Sequence, residues 1–154
     1  MNTSPHCLVV GVGAGTGLAC VRQFVDKGYR VSMIARHRGR LNTWASEITN
    51  TTPYPTDLLD IDGYRATLRE IGTQQGLPEV VVHNASLASF ATYDTLDPAD
   101  LERNFRANTC GLLVTAQELG PGMVKRGSGS IVVTGNTGSL RGKPSYIGFS
   151  PTKA

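Results

Sequence analysis

The passage from Cys7 to Gly17 constrains this chain more than any other. Cys7-Leu8-Val9-Val10 is a short apolar run ended by glycine, which suits a buried strand. Gly11-Val12-Gly13-Ala14-Gly15-Thr16-Gly17 follows without a spacer. Leu18, Val21 and Val25 then fall at helical spacing until Gly28 stops them. A strand that turns into a helix through so little side chain leaves bare backbone at the turn. The glycine count agrees that such positions are placed: there are 18 in 154 residues, about 12% where roughly 7% is usual. No repeat or low-complexity run accounts for them.

The same alternation continues along the chain. Val31 to Ala35 reads as a second strand, and Leu41, Trp44, Ala45 and Ile48 as the stripe of a second helix, with Trp44 in the core. Thr52 to Thr56 holds a third short strand, against which Pro53 and Pro55 count. Asp60 caps a helix marked by Ile61, Tyr64, Leu68 and Ile71. Val80-Val81-Val82 is a fourth strand, apolar enough to be buried on both faces. Asp97-Pro98 opens a helix whose stripe is Leu101, Phe105, Leu112, Ala116 and Leu119, kinked or ended at Gly120-Pro121-Gly122. Ser130 to Thr134 is a fifth strand. Alternating elements of this kind give parallel strands joined by right-handed crossovers. The expected fold is α/β: a doubly wound, Rossmann-type parallel sheet truncated after about five strands, forming one domain over residues 1–154.

Composition narrows the function classes. With 40% hydrophobic and 18% charged residues, the chain is not a disordered one. No apolar stretch approaches the roughly 18 residues of a membrane span. Met-Asn-Thr-Ser-Pro-His lacks the basic-then-apolar layout of a signal peptide, so a cytoplasmic location is expected. Cys7, Cys20 and Cys110 read as free and mostly buried thiols. His6, His37 and His83 share no ligand spacing with them, so no metal is expected. A formal net charge of +3 with no aromatic platform among the arginines gives no nucleic-acid footprint.

The glycine turn carries chemistry as well as shape. A pyrophosphate needs free backbone N–H groups and a helix N-terminus close by, and side chains would block that approach. Tight structural turns also use glycine, but a place between the first strand and the first helix favours a dinucleotide. Ala35-Arg36-His37-Arg38-Gly39-Arg40 ends the second strand, where an NAD site carries an acid for the ribose hydroxyls. Three arginines at the positive end of a helix are disfavoured unless an anion joins them. The expected cofactor is therefore NADP(H), with Arg36 on its 2′-phosphate. Asn108 interrupts the apolar stripe, and a buried amide there must find partners, in nearby backbone or in a site.

These residues together resemble the short-chain dehydrogenase/reductase family along the whole chain. Gly11, Gly15 and Gly17 fit its T-G-x-x-x-G-x-G turn with Val10 in place of threonine. Asp57-Leu58 sits where that family contacts the adenine. His83-Asn84-Ala85-Ser86 is similar to its N-N-A-G, and Asn108-Thr109-Cys110-Gly111 to the N-x-x-G of its fourth helix. The resemblance implies cofactor contacts at Gly11, Gly15, Thr16, Gly17, Arg36, Asp57, Leu58, Asn84, Ala85 and Lys153. It also sets Asn108 beside the active site, supporting a water relay to a lysine.

The family's Y-x-x-x-K and preceding serine are matched only at Lys153. The tyrosine position is Phe149 and the serine position Asn136. Phenylalanine exchanges no proton, whereas Asn136 can still donate a hydrogen bond to an oxygen. Tyr146, three residues earlier, is the substitute acid to consider. Pro151 opens the last helix and leaves Tyr146 in the loop before it. Family members continue past the position of Ala154 through further strands. The resemblance implies hydride transfer with a small-molecule carbonyl or alcohol substrate, in a homo-oligomer. Its alternative is a non-catalytic nucleotide-binding scaffold or sensor of the same fold, and a third reading is an unrelated doubly wound domain without a dinucleotide.

Overall fold

A computed structural model describes residues 4–154. Five strands alternate with helices: β1 (His6–Val10), α1 (Thr16–Asp26), β2 (Arg30–Ala35), α2 (Arg38–Glu47), β3 (Thr51–Pro55), α3 (Ile61–Gln75), β4 (Val80–His83), α4 (Pro98–Phe105), α5 (Gly111–Arg126) and β5 (Ser130–Val133). All pairings are parallel and the order is β3-β2-β1-β4-β5, so the chain reverses its winding direction after β3. This is the doubly wound sheet expected from the alternation.

The pleat sorts the strand residues. Leu8, Val10, Ile34 and Val81 face Tyr64, Leu68 and Ile71 of α3 and Val114, Leu119 and Met123 of α5. Cys7, Val9, Val31, Met33 and Val82 face Val21 of α1 and Leu41 of α2. Alternate side chains thus enter opposite layers, and β1 is buried along its whole length. The prolines of β3 are tolerated because it is an edge strand with a neighbour on one side only. Asp60 caps α3 by accepting from Gly63 N at 3.0 Å.

The long helical stretch departs from expectation. α4 runs without a break through a π turn (Arg106–Cys110) into α5, and Gly120-Pro121-Gly122 does not end it. The amide missing at Pro121 would have met the carbonyl of Gln117, an exposed residue whose carbonyl can turn to water. Gly127, at φ +73, is the actual terminator. The buried face is also more polar than the apolar stripe: Asn104, Asn108 and Thr115 are inside, while Phe105 and Ala116 are exposed. Of the cysteines Cys7 is buried, Cys20 half-buried and Cys110 exposed, so the expectation of mostly buried thiols is corrected. No helix among the described residues is long and apolar enough to cross a membrane.

Candidate functional site

The carboxyl ends of β2, β1, β4 and β5 open on one cleft of about 530 Å³, within the range of small-molecule sites. Its walls include Gly11, Gly13, Thr16, Gly17, Arg36, Asp57, Leu58, Asn84, Ala85, Asn136, Phe149 and Lys153. Ten residues expected at a site therefore meet along one groove, with Gly13 and Phe149 beside them. Gly15, Asn108 and Tyr146 stand outside its lining.

The glycine turn is fixed by contacts that admit no side chain. Gly11 has φ +88, and a Cβ there would overlap the backbone of Ala85. A Cβ on Gly17 would lie 2.6 Å from Gly11 O, so this residue lets α1 close onto β1. Gly13 and Gly15 have open space where a side chain would be. Gly11 N and Val12 N donate to Ile34 O at 2.8 and 2.9 Å. Among the described residues the amides from Gly13 to Gly17 have no such acceptor, and α1 has neither a side-chain cap nor an acid in its first turn. A row of free N–H groups on an open, positive helix end suits an anion.

Asn84 ties this turn to the rest of the sheet. Its Nδ2 donates to Gly11 O at 2.8 Å and its Oδ1 accepts from Thr134 Oγ1 at 2.9 Å. Lys153 donates from Nζ to Ala85 O at 3.0 Å and to Thr134 O at 3.4 Å. One ammonium proton remains for the cleft. Desolvation by burial holds the Lys153 pKa below the usual lysine range.

At the β2 end, Arg36 and Arg40 line the cleft, exposed, and neither pairs with a carboxylate among the described residues. Trp44 is half-buried: it packs on the core and also walls the cleft, beyond the purely core role expected. Arg40 and Trp44 stand one turn apart on α2, the helical spacing that could have marked them as one face, and Arg36 lies in the turn just before that helix. Asp57 Oδ1 accepts from Leu59 N at 3.0 Å, fixing the turn after β3.

The β5 end is built differently. Asn136 Oδ1 accepts from Gly138 N at 2.6 Å, which leaves its Nδ2 without a protein acceptor among the described residues. Ser139 Oγ is engaged with Asn136 O at 2.6 Å. Ser150 to Lys153 form a short 3₁₀ turn with Pro151 at its start, and Tyr146 lies in the loop before it. Phe149 is buried against the cleft. Asn108, in the π turn, accepts from Leu87 N (2.7 Å) and donates to Leu87 O and Thr152 Oγ1 (2.8 Å each). Its amide is fully spent on fastening the two loops that carry the β5 end. π turns recur at functional sites, and here the turn presents that amide.

Beneath the site His83 is fully buried. Its Nδ1 lies 3.3 Å from Thr115 Oγ1, whose own proton goes to Gly111 O at 2.9 Å. The Nδ1–H tautomer therefore donates to Thr115, and Nε2 has no partner. Burial first, and the Lys153 charge second, bring the His83 pKa down to about 4, so the ring is neutral at pH 7.

Comparison with known proteins gives a consistent picture. The family model for short chain dehydrogenases matches residues 5–154. A 3-oxoacyl-[acyl-carrier-protein] reductase of Thermotoga maritima is 24% identical over 96% of this chain and 62% of its own length. Sulfoacetaldehyde reductase 2 of Chromohalobacter salexigens is 29% identical over 92% of this chain and 57% of its own. Among solved structures, a gluconate 5-dehydrogenase from Burkholderia cenocepacia, in complex with NADP and tartrate, superposes with a TM-score of 0.86 at 24% identity, covering 97% of this chain and 60% of that one. A xylitol dehydrogenase bound to NAD⁺ gives 0.90 at 20% identity, covering 97% and 59%. The chain spans about three-fifths of the length of the curated relatives it matches.

Proposed function

Because the chain belongs to the short-chain dehydrogenase family, we propose that it binds NADP(H) along the cleft and exchanges a hydride with the carbon of a carbonyl or alcohol. The choice of cofactor rests on one observation. Arg36 and Arg40 stand unpaired beside the N-terminus of α2, which has no acid in its first turn and no side-chain cap. Two cations at a positive helix end repel it and each other, and a 2′-phosphate between them relieves both. Both NADP and NAD⁺ occur in the solved structures of similar fold, so the arginines rather than the fold support NADP(H). The open amides from Gly13 to Gly17 suit the pyrophosphate, with Trp44, Asp57 and Leu58 walling the adenosine end.

NADP(H), when bound, supplies or receives the hydride. Lys153 is held by two carbonyls, and its third proton would hold the cofactor's ribose. Asn136 Nδ2 donates to the substrate oxygen as negative charge develops there. Phe149 fills the place of the proton donor and gives none, which forgoes the roughly 10²–10⁴-fold that general acid catalysis contributes.

Trp44 is the sole tryptophan and lines the cleft, so its fluorescence reports occupancy. NADPH should bind more tightly than NADH. Replacing Arg36 by aspartate should weaken NADPH about ten- to a hundredfold while sparing NADH, as for a lost charged hydrogen bond of roughly 1.5–3 kcal/mol. Equal affinities in the unaltered protein would overturn the cofactor assignment.

A further inference from the structure

Three aromatic rings meet at the β5 end of the cleft. The Phe90 and Tyr146 centroids are 5.0 Å apart at 63°, Phe90 and Phe149 5.9 Å at 66°, and Tyr146 and Phe149 6.5 Å at 51°. They come from the loops that follow β4 and β5. A parallel bridge between Ala91 and Tyr146 holds those loops together. So does Gly148, where a Cβ would lie 2.5 Å from Ser89 O. Both loops leave the carboxyl ends of parallel strands, the edge at which α/β sheets take ligands. Phe149 is the inner ring and lines the cleft, whereas Phe90 is the outer one, 60% exposed. The rings form a ledge leading outward from the reacting end. Beyond it is a second hollow lined by Tyr93, Pro144 and Ile147, with Lys143 Nζ 5.1 Å above the Tyr146 ring.

We propose that this ledge receives a planar conjugated carbonyl compound of the quinone class, and that such a quinone is the substrate for which a cleft with Phe149 in the proton-donor position is suited. The inference rests on the hydride-transfer reading above and sharpens its substrate. Two independent features point the same way. Edge-to-face rings with an exposed outer member offer π surface to a further flat ring rather than to a sugar or a short chain. The second feature is chemical. Hydride addition to a simple ketone generates an alkoxide, a strong base that needs a proton as it forms, and Phe149 has none to give. A quinone, unlike a ketone, can take the hydride on a carbonyl oxygen, which makes it directly a hydroquinone monoanion with its charge on the other oxygen, a delocalised phenolate and a far weaker base. Its second proton can come later from water. The balance is NADPH + quinone + H⁺ → NADP⁺ + hydroquinone: the nicotinamide is oxidised by two electrons, the quinone is reduced by two, and no leaving group departs. Asn136 Nδ2, a neutral donor, suffices for the phenolate oxygen. On this reading Phe149 belongs to the chemistry as an apolar platform.

The test uses the full chain with 2,3-dimethyl-1,4-naphthoquinone and 1-tetralone as probes. They share a fused-ring shape but differ in their need for an acid, and the quinone's methyl groups block addition of the exposed Cys110 thiol. Binding is followed by saturation-transfer NMR without cofactor. The quinone should bind, and Phe90→Ala should weaken it about two- to tenfold, the worth of a ring contact, without changing the NADPH affinity read from Trp44. With NADPH present, the quinone should be reduced about a hundredfold or more faster than tetralone, after subtraction of the uncatalysed rate. Phe149→Tyr combined with Asn136→Ser should narrow that gap by raising the tetralone rate. Tetralone turnover equal to that of the quinone, or quinone binding indifferent to Phe90→Ala, would overturn the inference. Failure of NADPH to perturb Trp44 would strike the cofactor reading alone, since the ledge is judged by quinone binding without it.

Discussion

At the β1 end of the cleft the geometry is carried by backbone, and at the β5 end by side chains on two loops. Gly11 meets Ala85 where no Cβ fits, Gly17 closes on the Gly11 carbonyl, and Asn84 pins the turn with its amide. The β5 end rests on the side-chain amides of Asn104 and Asn108 and on ring contacts among Phe90, Tyr146 and Phe149, with one backbone bridge, Ala91 to Tyr146, and the close approach of Gly148 to Ser89 between its loops. β5 itself is an edge strand with Val132 and Val133 exposed at 53% and 44%. A backbone-built site fixes which residue types can occupy it, whereas a site built of side chains can exchange its chemistry and keep its shape. On the proposed reading the first end keeps the family's glycines, while the second carries Asn136 and Phe149 at the positions matched to its serine and tyrosine.

The strongest way to break this comparison is to restore the exchanged end. Phe149→Tyr with Asn136→Ser should raise NADPH-dependent reduction of a simple ketone by about 10²-fold or more, since an acid contributes roughly 10²–10⁴ and an oriented oxygen donor roughly 10²–10³. Either change alone should recover little, because such groups act as a unit. Stopped-flow NADPH oxidation checks this, and no gain in the double variant would mean that the β5 end differs in more than chemistry.

The β1 end is sharpened by two glycine substitutions with opposite signatures. Gly11→Ala should cost the fold about 4 kcal/mol or more, because its Cβ meets backbone that cannot yield. Gly13→Ala should leave stability within about 1 kcal/mol yet lower NADPH affinity at least about tenfold, through lost contact to the charged pyrophosphate. Urea unfolding and Trp44 titration separate the two. A Gly13→Ala protein that binds NADPH normally would remove the bare rim from the binding site.

A smaller effect lies beneath both ends. His83 has a folded pKa of about 4 and an unfolded value near 6.5. Between these the unfolded chain binds more protons, so stability is full above pH 6.5 and declines as pH falls toward 4. The loss should reach about 2 kcal/mol at pH 5, with His6, also lowered by burial, adding in the same direction. His83→Asn should flatten the pH 7-to-5 difference in unfolding midpoint by most of its extent. An unchanged slope would mean that His83 is not the buried neutral imidazole described here.

Much of this architecture was legible in the sequence, for reasons that differ along the chain. The strands showed because each is a short apolar run between polar turns, and the glycine turn because local sterics leave no substitute. Counting back from Lys153 along the family's motif leads to Phe149 and Asn136, and all three line the cleft. The polar interior of the long helix was hidden. Asn104 and Thr115 look solvated in a hydropathy pattern, and only distant partners show otherwise: Gly148 O for one, Tyr64 and His83 for the other. Pro121 misled because it lies on the exposed face of the helix, with Gln117 one turn earlier exposed as well. The aromatic ledge joins residues more than fifty positions apart and has no local signature.

The π turn at Arg106–Cys110 has a consequence of another kind. It accommodates one residue more than an ordinary turn, so loss of any single residue there would let the helix regularise without breaking its ladder. Because the π turn holds its extra residue within one turn, α4 and α5 would keep nearly their present phase, and Asn104 would stay on the carbonyl of Gly148. In the regular turns on either side, loss of one residue would instead rotate the two parts of the helix by about 100° against each other, one residue's step on a helix of 3.6 per turn. The five positions of the π turn are thus where this helix absorbs a change of length, and its other turns are where the same change would dismantle the site.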